Sequence, residues 1–181
     1  LLELAVAVGV GVREVLGIAQ RTVSLLAGEL VIGHHQRSTR EVRDVRIGQP
    51  VALGQAAHAL AHAPGDADLN NNLGMALMSM GDAVAARPLF ELALTARPRF
   101  PEAHFNGGNA CLAEGQHAAA EKHYRAALRQ RADYVDAANN LGNLLFDLGR
   151  MDEAAQCMHK VVQLAPRFAP GQLGLARALA G

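Results

Sequence analysis

The 181 residues predict an all-α solenoid built from antiparallel helix pairs. Three observations lead there. A 34-residue unit begins at Ala67, Pro101 and Val135, so that three copies lie in one alignment. Glycine returns in two columns of that alignment, at Gly74, Gly108 and Gly142 and again at Gly81, Gly115 and Gly149. A small residue is followed one turn later by a bulky one in each copy, as Ala86 before Phe90, Ala120 before Tyr124 and Ala154 before Met158. A fixed period of this length marks a repeat architecture, because each unit buries its apolar face only against its neighbours.

Residues 1–48 form an N-terminal segment whose structure the sequence specifies poorly. Its opening LLELAVAVGVGV is apolar but has no basic start and contains Glu3, with Arg13 and Glu14 close behind. It makes a poor secretion signal and is too short to span a bilayer, so the expected location is cytoplasmic. Residues 12–30 faintly resemble a DNA-reading helix-turn-helix, with Gly17 at the turn and Ile18, Val23 and Leu26 at apolar spacing. Arg13, however, stands where that motif needs a small buried residue. The run HHQRSTREVRDVR mixes Arg37, Arg40, Arg43 and Arg46 with Glu41 and Asp44, as a solvated surface segment does. Residues 49–66 read as a partial repeat, a second helix alone, with Ala52, Ala56 and Ala59 in the expected columns. His58 and His62 on it have a spacing able to chelate zinc, but no third ligand is near, so two solvent-facing histidines and no metal are expected.

The three full units, 67–100, 101–134 and 135–168, each read as helix, turn and helix. Gly74 and its counterparts let the first helix approach its neighbour, and Gly81 and its counterparts supply a residue at ease with positive φ where that helix ends. Pro98 and Pro166 stop the second helices, while the middle unit has Ala132 at that position. Cys111 and Cys157 fall in different units and are expected as small apolar thiols in the core. Residues 169–181 start a further first-type or capping helix. Its LGLARALA is apolar apart from Arg177, whereas array ends normally carry a polar cap. The expectation is a fragment of a longer protein with a missing C-terminal domain, or a last helix covered by a dimer partner; the opening Leu1 agrees with truncation.

The runs NNLGMALMSMGDAVAARPLFELALTARP, FNGGNACLAEGQHAAAEKHYRAALRQRA and NNLGNLLFDLGRMDEAAQCMHKVVQLAP resemble the tetratricopeptide repeat. The sequence departs from it at Gly107, where the family usually has leucine, and at Asn70, His104 and Ala138, where it favours a large aromatic. These departures thin the packing without changing the period. The resemblance implies a right-handed superhelix whose concave wall, built mainly from the first helix of each pair, holds an extended peptide or a partner helix.

Asn72, Asn106 and Asn140 recur at the repeat period, and Asn109 and Asn143 lie three residues further along the same helices, on the same face. An amide offers a donor and an acceptor, so a ladder of them suits the N–H and C=O groups of an extended peptide. This pattern is similar to the asparagine-lined repeats of O-linked N-acetylglucosamine transferases and their SPINDLY-type relatives. That resemblance implies an arm delivering polypeptide to a glycosyltransferase domain. Alternatively, the asparagines bridge neighbouring helices. A neutral hydrogen bond nets only about 0.5–1.5 kcal/mol, so apolar anchors must contribute, with Met75, Met78, Leu112 and Phe146 as candidates. Asp68, Glu102 and Asp136, with Glu114 and Asp147, put acid on the first helices of the three units, where no Lys or Arg occurs. Arg87, Lys122, Arg125, Arg129 and Lys160 fall on second helices instead. A neutral-to-acidic wall argues against the carboxylate clamp of chaperone cochaperones and against nucleic acid in the groove. His104 is expected on that wall, and His117, His123 and His159 on the outer surface.

Acidic and basic residues balance at 17 each, which predicts no general affinity for nucleic acid or membrane. With no phosphate-binding loop, nucleophile elbow or acid–base pair, the sequence predicts no enzyme, catalytic residue or cofactor. The expected function is a protein-interaction module with a peptide-binding set of Asp68, Asn72, Met75, Glu102, Asn106, Asn109, Asp136, Asn140, Asn143 and Phe146. Two rival functions are the non-catalytic docking arm of a longer glycosyltransferase or other enzyme, and a DNA-binding regulator using residues 12–30.

Overall fold

The computed structural model describes residues 65–180, with the backbone alone at Ala180. The segment 1–48, its helix-turn-helix-like stretch, nearly all of the partial repeat 49–66, and His58 and His62 lie outside the described residues. Within them there are helices and no strand: α1 (Ala67–Ser79), α2 (Ala83–Ala96), α3 (Pro101–Ala113), α4 (His117–Gln130), α5 (Val135–Asp147), α6 (Met151–Leu164) and α7 (Ala169–Ala180). They divide into two units, one ending at Pro98 and holding α1 and α2, the other starting at Arg99 and holding α3 to α7.

Local chemistry sets the helix ends. The Asp66 carboxylate accepts from Leu69 N–H at 2.9 Å and starts α1, and Asp82 accepts from Ala85 N–H at 3.0 Å and starts α2. Such caps contribute about 1 kcal/mol each. Pro101 opens α3, in the first turn, where its missing N–H costs nothing. Each first helix ends at a glycine with positive φ: 85° at Gly81, 74° at Gly115 and 76° at Gly149. The next residue then donates its N–H back to the carbonyl five positions earlier, Asp82 to Leu77, Gln116 to Cys111 and Arg150 to Leu145. Carbonyls left over at the helix end are satisfied in this way. The second helices stop alike, with the N–H groups of Arg97, Arg131 and Ala165 bonded to Ala93, Ala127 and Val161 at 2.8 Å. The middle one needs no proline to do so. Pro88, inside α2, was not anticipated; it removes one helix bond, to Val84, and its ring is buried.

Packing follows the repeated columns. In the first unit Leu73, Leu77, Ala86, Leu89, Phe90 and Ala93 are buried between α1 and α2. In the second, Cys111, Ala120, Tyr124, Leu141, Leu144, Leu145, Ala154 and Ala178 form one cluster across successive helices. A Cβ added at Gly74 would lie 2.6 Å from the Phe90 ring, one at Gly108 2.6 Å from the Tyr124 ring, and one at Gly142 2.8 Å from Met158. Gly174 on α7 also closes on Met158, at 2.7 Å, so this flexible thioether fills the space between α5 and α7. Cys111 is buried, but Cys157 is only half-buried, and both are free thiols. Burial pushes the Cys157 thiol up from its ordinary value.

Charged side chains add stitches. Arg97 bonds Asp68 and Arg131 bonds Glu102, each pair 29 residues apart and each within its own unit of the repeat. Ala165 occupies the third corresponding position, so Asp136 lacks this partner. Between α4 and the start of α6, Arg125 bonds Glu121 and Glu153 at 2.8 and 2.9 Å, and Arg150 bonds the same two carboxylates at 2.7 Å. Burial pushes the Glu121 carboxyl up, but hydrogen bonds from Arg150 and Arg125 outweigh it and hold it below its usual value. Among the described residues no helix is long and apolar enough to cross a membrane.

Candidate functional site

The amide ladder falls on first helices, and its members differ in what they touch. In the first unit Asn72 is exposed on α1, and Met75 beside it is 49% exposed. The neighbouring Asn71 is buried and donates its Nδ2 to the Met75 sulfur at 3.6 Å, which orients that side chain. Asp68 is engaged by Arg97, whose hydrogen bond holds the carboxyl below its usual value.

In the second unit a hydrogen bond from α5 to α3 brings two of the predicted asparagines together. Asn140 on α5 donates its Nδ2 to the Oδ1 of Asn109 on α3 at 2.9 Å. The Tyr124 hydroxyl, coming up from α4, donates to the same oxygen at 2.8 Å. Asn109 therefore does bridge helices. Asn106 and Asn143, each one turn away from this junction, are half-buried. Asn139, which was not anticipated, donates over a long 3.5 Å to Asn140, and its Oδ1 is buried without a partner. Burial raises the Tyr124 phenol to about 12, against the effect of its contact with the Asn140 amide, so the hydroxyl stays a donor.

The remaining predicted residues are distributed less simply. Phe146 is half-buried on α5, and the Arg177 guanidinium of α7 covers its ring at 4.3 Å from the centroid. A cation thus stands beside this aromatic, on a face expected to be neutral or acidic. Glu102 is neutralised by Arg131, which also lies 3.6 Å over the Tyr134 ring. Asp136 is exposed, Leu112 is 36% exposed, and Met78 is half-buried.

His104 departs from its expected place on the ligand wall. It turns toward α4 and meets His123, the two Nδ1 atoms 3.4 Å apart. His123 is half-buried rather than on the surface, while His117 and His159 are exposed. Burial, then the charges of His104 and Lys122, pushes His123 down to about 4 from 6.5. Above pH 6.5 this imidazole is neutral in both the folded and the unfolded chain; below it the unfolded chain takes up a proton that the folded chain refuses until about pH 4. Stability is therefore expected to fall over that window, by at most about 1.4 kcal/mol per pH unit and less because the ring is partly solvated. Urea midpoints of the wild type and of His123→Gln, at about pH 7 and about pH 4.5, check this; the substitution should remove part of the loss.

Among the described residues no three or more His, Cys, Asp or Glu side chains are grouped to hold a metal ion.

A tetratricopeptide repeat model matches residues 50–102, 71–134 and 105–167, which together span more than half of the sequence. The chain belongs to the tetratricopeptide repeat family. Solved structures of this repeat share the fold. The MamA protein superposes at a TM-score of 0.69 with 18% identity, over 92% of this chain and 82% of that one. The first tetratricopeptide domain of Spaghetti (RPAP3), bound to the HSP90 peptide SRMEEVD, gives 0.61 and 23%, over 64% and 94%. The Sgt2 tetratricopeptide domain from Aspergillus fumigatus gives 0.59 and 24%, over 63% and 77%. Comparison with curated proteins gives no match.

The tetratricopeptide pattern explains what the sequence reading overlooked. Tyr124 occupies the column of Phe90 and Met158 and was read only as bulk; its hydroxyl was the signal that this copy differs. Arg97 and Arg131 recur at the repeat period, as do Asp68 and Glu102, and those matched recurrences are the trace of the two ion pairs.

Proposed function

We propose that this tetratricopeptide chain is a protein-interaction module that holds an extended polypeptide along the first helices of its second unit, α3 and α5. The observation that carries this reading is the row of half-buried amides along α3 and α5, in which the Asn109 Nδ2 and the Asn143 side chain make no hydrogen bond among the described residues. Polar groups kept near a surface with unspent hydrogen-bonding capacity suit a partner with regularly spaced N–H and C=O groups. Within the second unit Phe146 with Arg177 would flank the amides on α5 and α7, while Asn72 and Met75 hold the corresponding exposed positions on α1 of the first unit. A peptide bound to a similar fold, as in the Spaghetti complex, is consistent with this use. The cluster of acidic residues in that peptide would meet a cation on this face, Arg177, together with the exposed carboxylate of Asp136.

Replacing Asn106 and Asn140 together with alanine is expected to weaken a peptide selected on the whole chain from a random library by at least about tenfold, while the interactions lost by the two amides cost about 1–3 kcal/mol of stability. Isothermal titration and thermal melts measure the two separately. Asn143→Ala should weaken the same peptide with no change in melting temperature. If all three changes lower stability and leave affinity intact, the amides are scaffold. The same ladder would also serve as the docking arm of a longer glycosyltransferase or other enzyme; a catalytic domain in the same reading frame, whose turnover of polypeptide falls with Asn106→Ala, would establish that role.

A further inference from the structure

The two acceptor lone pairs of the Asn109 oxygen are both taken, one by the Tyr124 hydroxyl at 2.8 Å and one by the Asn140 amide at 2.9 Å. Its Nδ2 makes no hydrogen bond among the described residues and is not among the buried, unpartnered atoms. We infer that the second unit recognises its guest at Asn109 through an acceptor oxygen, a backbone carbonyl of an extended peptide, and that Tyr124 is the positioning residue that makes Asn109 a donor only. This rests on the reading of α3 and α5 as a ligand-binding face.

The repeats themselves contain the comparison. Phe90, with no hydroxyl, shares its unit with Met75, which has no amide; Tyr124 shares its unit with Asn109; Met158 shares its unit with Asn143. A hydroxyl thus occurs in the one copy where it reaches an amide across the helix pair. Asn143, with no hydroxyl beneath it, is free to turn and either donate or accept, whereas Asn109 is fixed. Asn139 Nδ2 lies 3.5 Å from the Asn140 oxygen, a weak contact that agrees with the Asn140 N–H groups facing Asn109. Along an extended strand, N–H and C=O groups alternate, so one fixed donor beside one adaptable amide selects the register in which a carbonyl meets α3. The exposed Asp136 on α5, which has no ion-pair partner among the described residues, disfavours a carboxylate as the source of that oxygen.

Three variants separate polarity from packing. Asn109→Asp keeps an acceptor for Tyr124 and Asn140 but replaces the outward donors with an oxygen, so the melting temperature should hold while affinity for the library-selected peptide falls by at least about tenfold. Tyr124→Phe keeps the ring, which Phe90 shows the column accepts, and should lower affinity by about threefold to tenfold by letting the amide turn. Asn109→Ala removes both functions and should lower stability as well. In peptide-free wild-type protein, NMR should find the Asn109 NH2 protons exchanging freely with water and the Tyr124 hydroxyl proton protected. Replacing single peptide bonds of the probe with esters should reveal one carbonyl whose weakening costs the wild type affinity but not Asn109→Asp, and N-methylation of the adjacent nitrogen should leave that difference in place. Protected Asn109 NH2 protons without peptide, or full affinity of Asn109→Asp, would overturn the inference. A library that yields no peptide would instead overturn the groove reading, and recognition at Asn109 with it, while the exchange measurement still decides which way the amide faces.

Discussion

Gly108→Leu is expected to unfold the hairpin of α3 and α4 and, with it, the cluster that runs on to α7. Already the first carbon of the new side chain would lie 2.6 Å from the Tyr124 ring, far inside contact distance. Tyr124 is fully buried, and its hydroxyl is anchored to Asn109, so the ring has nowhere to retreat. Overpacking typically costs about 1–3 kcal/mol, and a clash this close against a ring that cannot move lies at or above the top of that range, a large share of the about 5–15 kcal/mol that stabilises a domain. Alanine at the same position should cost less, and alanine at Gly142 less again, because the atom it meets there is the methyl end of Met158, which can swing aside. Helical circular dichroism against temperature ranks the three: equal melting temperatures for Gly108→Ala and Gly142→Ala would show that the aromatic wedge has no special rigidity.

Tyr124→Ala is expected to have an effect of similar size by the opposite route. It opens a cavity among Cys111, Ala120, Leu141 and Leu144 and strands the Asn109 oxygen on that side. Large-to-small changes of buried aromatics cost about 3–5 kcal/mol. Urea denaturation measures the loss; a value near that of Tyr124→Phe would mean that the neighbouring helices collapse into the space.

The fold was legible because repetition writes the same packing demand several times. Gly74, Gly108 and Gly142 each face a bulky side chain from the paired helix, and Gly81, Gly115 and Gly149 each carry a positive φ, so the columns identified the structure without any single residue being decisive. The recurrence of the asparagines on first helices was legible for the same reason. What the alignment did not reveal was which of them are spent. Asn109 and Tyr124 are 15 residues apart and meet only once the hairpin has closed, and the hydroxyl appears in one copy, so no column flagged it. His104 follows from its helix to the wall, yet the column favours a large aromatic that packs inward, and its imidazole also meets His123 on α4. Arg177 over Phe146 was missed because it comes from α7, beyond the three aligned copies.

The crossed ion group of Glu121, Arg125, Arg150 and Glu153 has a mechanical consequence. Sliding α6 along α4 by one turn would sever both links that cross between the hairpins, Arg125 to Glu153 and Arg150 to Glu121, whereas a small change in hinge angle would merely lengthen them. The joint therefore resists shear more than bending. A strand seated across α3 and α5 would meet anchoring points whose lengthwise spacing these solvent-exposed pairs favour only modestly, like a ruler that flexes more readily than it slides.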